Sequence, residues 1–371
     1  MTKTVALQKC NEYLFDDVYS CIRRMMELLP PPDVKGKVVL LKPNILYPKK
    51  PELAVGTHPV VVGAAVKAFL ERGAEKVLVG ESPAIANSYT SAKLTGMLDQ
   101  VVYNGGEWAD FHEPVVVQCP EGVKVKQFEF AEQFEEADLV VSLCKLKTHQ
   151  LMSYTGAMKN LFGLVIGLDK AKTHYRFPNK EDFGNYIIDL NIAANADYAI
   201  MDAIVGMEGP GGPGSGDPKK LGFLAASDNL LALDWECASL VGYDPHRIMY
   251  LEQALQRGIW LKSDTEIKTI GASRAECRCT SFKIVQDPVQ TLGGMLPKGL
   301  DLIAKKYFTK TPHFNSKKCR MCGRCEQICP PHIIDLEGPN GTARVSDKTK
   351  CIHCFCCHEI CSFGAIKLRR F

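Results

Sequence analysis

The chain has 371 residues, 46% of them hydrophobic and 23% charged, with a formal net charge of +3. That length accommodates two or three domains and a large core. No apolar run is long enough to cross a bilayer, and so small a net charge makes no case for nucleic-acid binding. The charge is unevenly spread: residues 305–371 carry 13 Lys/Arg against 5 Asp/Glu, which leaves the rest slightly acidic. The opening residues, MTKTVALQKC, lack the charged head, apolar core and small-residue cleavage site of a secretory signal, so a cytoplasmic protein is expected. Sixteen cysteines in such a chain point to metal or redox chemistry rather than disulfides.

In chain order, the body of the protein alternates strands and helices. KVVLLKP is a largely apolar run that stops at Lys42 and Pro43, as a buried strand would. HPVVVGAAVKAFLERG has helical periodicity, with Thr57 as the expected N-cap, Pro59 in the first turn and Gly73 at the end. EKVLVGES supplies the next strand, and this strand–helix–strand unit implies parallel pairing. Further strands are expected at PVVVQC, ADLVVSLC, YAIMDAIVG and LGFLAAS. Further helices are expected at 155–165, 182–195, 230–241 and 245–257. The reading is an α/β fold: an open, mainly parallel sheet flanked by helices over residues 1–300. A connection follows at 301–314, and a small ferredoxin-like α+β domain at 315–371.

In open sheets of this kind ligands gather beyond the carboxyl ends of the strands. The residues that break the apolar pattern fall there: Lys42 and Asn44, then His58, then Glu81, then Lys145, Lys147 and His149. Thr155, Lys159 and Asn160 follow at a helix opening, and Asp202 precedes the loop GMEGPGGPGSGDP with Glu208 near its start. Strand-end lysines beside a helix N-terminus make a basin suited to phosphate or carboxylate. The expectation is one shared cleft, with Lys42, Asn44, Lys145, Lys147, Lys159, Asn160 and Glu208 binding the ligand and His58, Glu81 or His149 moving a proton. The plainer reading is solvated strand-end lysines. No P-loop, dinucleotide fingerprint, nucleophile elbow or zinc-protease motif is present. Cys277 and Cys279 are expected to share one face of a strand as packing residues.

The tail is a duplication. Cys319, Cys322, Cys325 and Cys329 are spaced C-x2-C-x2-C-x3-C, and Cys351, Cys354, Cys357 and Cys361 repeat that spacing 32 residues later. This is the bacterial ferredoxin pattern, in which the fourth cysteine of each run serves the other cluster. The expected sets are therefore Cys319, Cys322, Cys325 with Cys361, and Cys351, Cys354, Cys357 with Cys329, holding two [4Fe–4S] clusters. Structural zinc sites are the alternative, disfavoured by two complete four-cysteine runs in tandem. Cys356 is a ninth cysteine, out of register, expected to pack near a cluster. The surrounding basic residues favour the more negative reduced state and suit an acidic redox partner.

VLLKPN, GTHP, KLKTH, TGAMKNLFG and GMEGPGGPGSG, in this order and followed by a ferredoxin tail, resemble the domain of unknown function 362 family across nearly the whole chain. The resemblance implies iron–sulfur proteins of anaerobic and other prokaryotes, and it implies the clusters and the architecture without naming a substrate. Two functions fit. One is an oxidoreductase that relays single electrons from a ferredoxin or flavodoxin to an anionic small molecule in the basin. The other is a non-catalytic electron-carrying adaptor whose body docks a partner enzyme. A third, weaker reading has the clusters only bracing the C-terminus.

Overall fold

The computed structural model describes residues 2–285, 310–338 and 341–369. Much of the 301–314 connection therefore lies outside the described residues. Its last part, Thr311–Phe314, is a strand that pairs antiparallel with Ile366–Arg369 and so folds with the tail.

The body is one mixed sheet between two layers of helices. Its strands are β1 (Lys3–Lys9), β2 (Val38–Lys42), β3 (Lys76–Glu81), β4 (Glu107–Asp110), β7 (Leu139–His149), β8 (Ser153–Thr155), β9 (Tyr198–Glu208), β10 (Asp217–Ser227) and β11 (Ile267–Gly271). Their spatial order is β11-β1-β10-β9-β7-β2-β3-β4, with β8 folded back on β7. Strands β9, β7, β2, β3 and β4 run parallel, and β10 and β1 add an antiparallel wing. The remaining pair, β5 (Pro114–Gln118) and β6 (Gln127–Ala131), forms a separate antiparallel hairpin, so PVVVQC is a strand outside the main sheet.

Alternation along the parallel strands builds two cores. Val39, Leu41, Val141, Leu143 and Ile200 face the helices Phe15–Leu28 and Pro59–Glu71. Leu40, Val140, Cys144 and Met201 face the helices Lys180–Ala194, Leu230–Leu240 and Met249–Arg257. Strands covered on both faces read as continuous apolar runs, which is why VVLL and LVVSLC are legible in the sequence.

Several expectations are corrected. The N-cap of Pro59–Glu71 is His58, whose Nδ1 accepts the Val60 N–H at 3.3 Å; Thr57 instead accepts from Asn44 N–H and donates to Leu143 O. Strand β7 does not stop at Cys144 but runs fully buried to His149, so KLKTH lies within a strand. The Gly/Pro loop joins β9 to the antiparallel β10, a pairing that apolar runs alone cannot distinguish from a parallel one. Cys277 ends a short helix, Arg274–Cys277, rather than lying on a strand.

The tail docks at the carboxyl edge of the parallel strands. Lys49 Nζ donates to Ser362 O at 2.7 Å, and Lys310 Nζ donates to Gln150 Oε1 at 3.0 Å. An apolar seam joins Tyr47, Val55 and Met207 of the body to Ile328, Cys354 and Ile360 of the tail. A Cβ on Gly214 would stand 2.5 Å from Glu359 O, so the glycine of this loop is a requirement of docking. Among the described residues no helix is long and apolar enough to cross a membrane.

Candidate active site

Where the tail meets the body there is a cavity of about 120 Å³, lined by Lys42, Asn44, Glu81, Lys147, His149, Lys159, Asn160, Lys170 and His174 of the body and by Ile328, Cys356, Glu359 and Ile360 of the tail. Its floor is a hydrogen-bonded network at the ends of β2, β3 and β7. Lys42 Nζ lies 3.2 Å from Glu81 Oε1 and donates to Pro43 O at 2.8 Å and to Asn160 Oδ1 at 3.2 Å. Glu81 also accepts the Ile45 N–H at 2.9 Å. Asn160 Oδ1 accepts from Asn44 Nδ2 at 3.2 Å, and Asn44 Oδ1 accepts from Lys147 Nζ at 2.7 Å. Gly163 lets this pair fit, since a Cβ there would lie 2.1 Å from Glu81 Oε1 and 2.2 Å from Lys42 Nζ.

Above the floor the polar groups are less satisfied. Lys147 gives two of its three N–H bonds to Asn44 and to Val55 O, leaving one donor. Lys159 has no hydrogen-bond acceptor among the described residues and meets the Phe162 ring at 5.9 Å. His149 Nδ1 accepts the Leu151 and Met152 N–H groups at 3.1 and 3.3 Å, which fixes the proton on Nε2. That Nε2 is buried without an aligned partner, 3.3 Å from Glu359 Oε1. His174 Nδ1 is likewise buried and unpartnered.

Four lysines against two carboxylates leave the basin with a surplus of positive charge. Burial lowers the pKa of every one of these lysines. Lys147 falls to about 7, aided by the neighbouring Lys159, and Lys170 falls to about 8 despite Glu81. Burial also pushes His149 well below its ordinary value and His174 to about 3, so both imidazoles are neutral. Glu359 is pushed up to about 7 by burial, opposed by Lys159 and Lys147. An anion placed among these lysines would restore their charge.

The structure thus brings together Lys42, Asn44, Glu81, Lys147, His149, Lys159 and Asn160, and it leaves out three residues that the sequence grouped with them. Lys145 is buried in an ion pair with Asp202 at 2.9 Å and bonds Tyr13 OH at 2.8 Å. His58 stacks on Tyr13 at 3.6 Å beneath the same network. Lys145 stands opposite Asp202 in the last regular β7–β9 pair; past it the register shifts and Lys147 lies opposite Met207. Glu208 accepts the Lys283 N–H at 2.8 Å, away from the basin. The helix opening near Thr155 is not available to a ligand either. Asp234 accepts the Ala157 and Met158 N–H groups at 2.6 and 3.0 Å, and that helix is only Ala157–Asn160. Glu81 lies in the basin, paired with Lys42 and accepting the Ile45 N–H.

Sequence reasoning missed Lys170, His174, Glu359 and the basin-facing position of Cys356. Lys170 and His174 lie four apart on the helix Asp169–Arg176, a spacing that puts them on one face and was the available signal. Nothing in the sequence links Glu359 to β7.

In the tail, one cavity is lined by Cys319, Cys322, Cys325 and Cys361, and another by Cys351, Cys354, Cys357 and Cys329. Apolar side chains supply most of the remaining wall: Phe314, Leu336 and Phe363 around the first, beside Arg320 and Arg324, and Ile333, Ile334 and Val345 around the second, beside His353. Four thiols lining one cavity are the donor set that an iron–sulfur cube takes, so the residues fit the group by the chemistry of their donors.

The family described as domain of unknown function (DUF362) matches residues 39–239, and a 4Fe-4S dicluster domain matches residues 307–367. A thylakoid-associated protein of Synechocystis sp. is 32% identical over 260 residues, 67% of this chain and 77% of that protein. Among solved structures, the lactate racemase apoprotein from Thermoanaerobacterium thermosaccharolyticum aligns at 15% identity with a TM-score of 0.38, over 61% of this chain and 54% of that one. A Thermotoga maritima protein aligns at 11% identity with a TM-score of 0.39, over 67% of this chain and 60% of that one. The chain thus spans less than two thirds of the length of either solved relative.

Proposed function

We propose, from the premise that this chain belongs to the domain of unknown function 362 family and ends in a 4Fe-4S dicluster domain, that it carries out a redox reaction on a phosphate- or carboxylate-bearing small molecule held between its two domains. Cys319, Cys322, Cys325 and Cys361 would hold one [4Fe–4S] cluster, and Cys351, Cys354, Cys357 and Cys329 the other. When bound, the clusters supply single-electron transfer.

The observation that carries the reading is the shared wall. The helix that contributes Cys357 also puts Cys356, Glu359 and Ile360 into the basin, so the residues that would hold a cluster and those that would hold an anion are joined by a few bonds. Lys147, Lys159 and Lys170 would bind the anionic group. The His149 Nε2–H would donate to it, and its neutral imidazole is a hydrogen-bond donor rather than a base. The Lys42–Glu81–Asn160–Asn44 network holds Lys147 in place and excludes water from the floor. Proton movement is assigned to Lys147, the buried lysine whose pKa lies near neutrality, in place of His58 and Glu81.

The test is anaerobic purification of the full chain, followed by mass spectrometry of retained small molecules and calorimetric titration with sulfate. A retained phosphorylated or carboxylated metabolite supports the reading. So does a Lys159→Ala loss of about ten- to a hundredfold in sulfate affinity, the size expected for one charge-assisted contact. Sulfate affinity unchanged by Lys159→Ala, in a body that is empty and co-purifies with another protein, would favour the adaptor instead.

A further inference from the structure

The two cysteine sets are not placed alike. In the second set Cys329, Cys354 and Cys357 are buried, and the neighbouring Phe355 belongs to the body's own hydrophobic core. In the first set Cys322 is exposed. Met321 and Phe363, which line the same cavity as Cys322, are 38% and 46% exposed. Arg320 lines that cavity too and Lys317 and Lys318 precede it in the chain; all three are exposed, with no carboxylate between Phe314 and Cys325. The body carries a small net negative charge while the tail is strongly positive, so the field that attracts an acidic protein is concentrated on the tail.

We infer that the face carrying Cys322, Met321 and Phe363, rimmed by Lys317, Lys318 and Arg320, is the docking port for an acidic one-electron carrier protein. The Cys319/Cys322/Cys325/Cys361 set is then the outer station, and the Cys351/Cys354/Cys357/Cys329 set is the inner one beside the basin. This rests on the electron-transfer reading above and adds to it the entry point and the partner. The transfer balances simply: the reduced carrier loses one electron and is oxidised, the chain gains that electron, and no bond is made or broken. A protein is favoured over a lipid surface because the exposed feature at the centre of the rim is a thiol of a redox set. Small apolar contacts ringed by charge are the pattern of short-lived protein encounters.

The experiment uses the cluster-loaded full chain, kept anaerobic, with a bacterial flavodoxin as the acidic carrier. Affinity is measured by calorimetry at low and at physiological ionic strength, and contacts are mapped by carbodiimide cross-linking, which joins lysine amines to carboxylates. Lys317→Glu/Lys318→Glu/Arg320→Glu is compared with Lys262→Glu/Lys268→Glu on the body. The rim variant is expected to lose about tenfold or more in affinity and most of its salt dependence, while the body variant changes little. Cross-links in the wild type are expected at Lys317 or Lys318. Equal effects of the two variants, or cross-links confined to the body, overturn the assignment, as does binding to anionic phospholipid vesicles with no affinity for flavodoxin. If the rim variant loses iron, Lys317→Gln/Lys318→Gln/Arg320→Gln decides by the same ratio. Sulfate titration of the same proteins separates the two readings, because a rim effect without sulfate binding retains the port and removes the basin.

Discussion

Glu81→Gln tests whether the floor of the basin is held by charge. The carboxylate and Lys42 are 4% and 1% exposed and 3.2 Å apart. Glutamine keeps an acceptor for the Ile45 N–H and nearly the same shape, so the chief loss is the negative charge. Lys42 would retain only the neutral acceptors Pro43 O and Asn160 Oδ1. Removing one partner of a buried pair costs about 3–5 kcal/mol, because the other charge is left uncompensated. Lys42 has an escape that limits the loss. Deprotonating a lysine of ordinary pKa 10.5 costs about 4.8 kcal/mol at pH 7 and about 2 kcal/mol at pH 9. In the variant the folded lysine is depressed further, the unfolded chain binds more protons, and stability therefore rises with pH across this window. Urea unfolding of the full chain, followed by far-UV circular dichroism under anaerobic conditions, should show a deficit of about 3–5 kcal/mol at pH 7 that shrinks to no more than about 2 kcal/mol at pH 9. Lys42→Met/Glu81→Gln, which removes both charges, should recover at least half of the pH 7 loss. A deficit below about 1 kcal/mol at pH 7, or one that grows toward pH 9, would refute the charged pair as the floor's support.

Two further predictions follow from the site. Lys147, with a folded pKa of about 7, carries a proton below neutrality and loses it above, so sulfate affinity should fall as pH rises from about 7 to 9. At pH 8 binding should take up protons, seen as a dependence of the calorimetric heat on buffer ionisation, and Lys147→Met should flatten the profile. In the tail, Cys329→Ala should damage the cluster held mainly by the second run and Cys361→Ala the one held by the first. Iron and acid-labile sulfide near eight per chain, halved in each variant, with distinguishable electron paramagnetic resonance signals lost, would support the crossed sets. Stoichiometric zinc without sulfide, or each variant affecting its own run, would count against them.

The sequence by itself determined the elements whose signal is local. A strand covered on both faces must be apolar throughout, so β2, β3 and the first half of β7 could be read directly. The cysteine runs could be read because a cube needs ligands at fixed spacing, and the duplication doubled that signal. The residues Lys42, Asn44, Lys147 and His149 at strand ends, and Lys159 and Asn160 on the short helix that follows, were legible for a topological reason: parallel strands deliver their ends to one edge. What needed the tertiary structure was everything set by contacts between distant segments. The partner that engages Lys145 is Asp202, 57 residues away, and only the pairing of β7 with β9 sets the two opposite each other. Asp234 reaches the helix opening at Ala157 from a helix 77 residues on and occupies the N–H groups that an anion would have used. Glu359 and Cys356 enter the basin because the tail docks on the glycine loop after β9, a surface match with no periodicity to betray it. Spacing records what a segment must do for itself; burial of a charge beside another segment leaves no trace in either one alone.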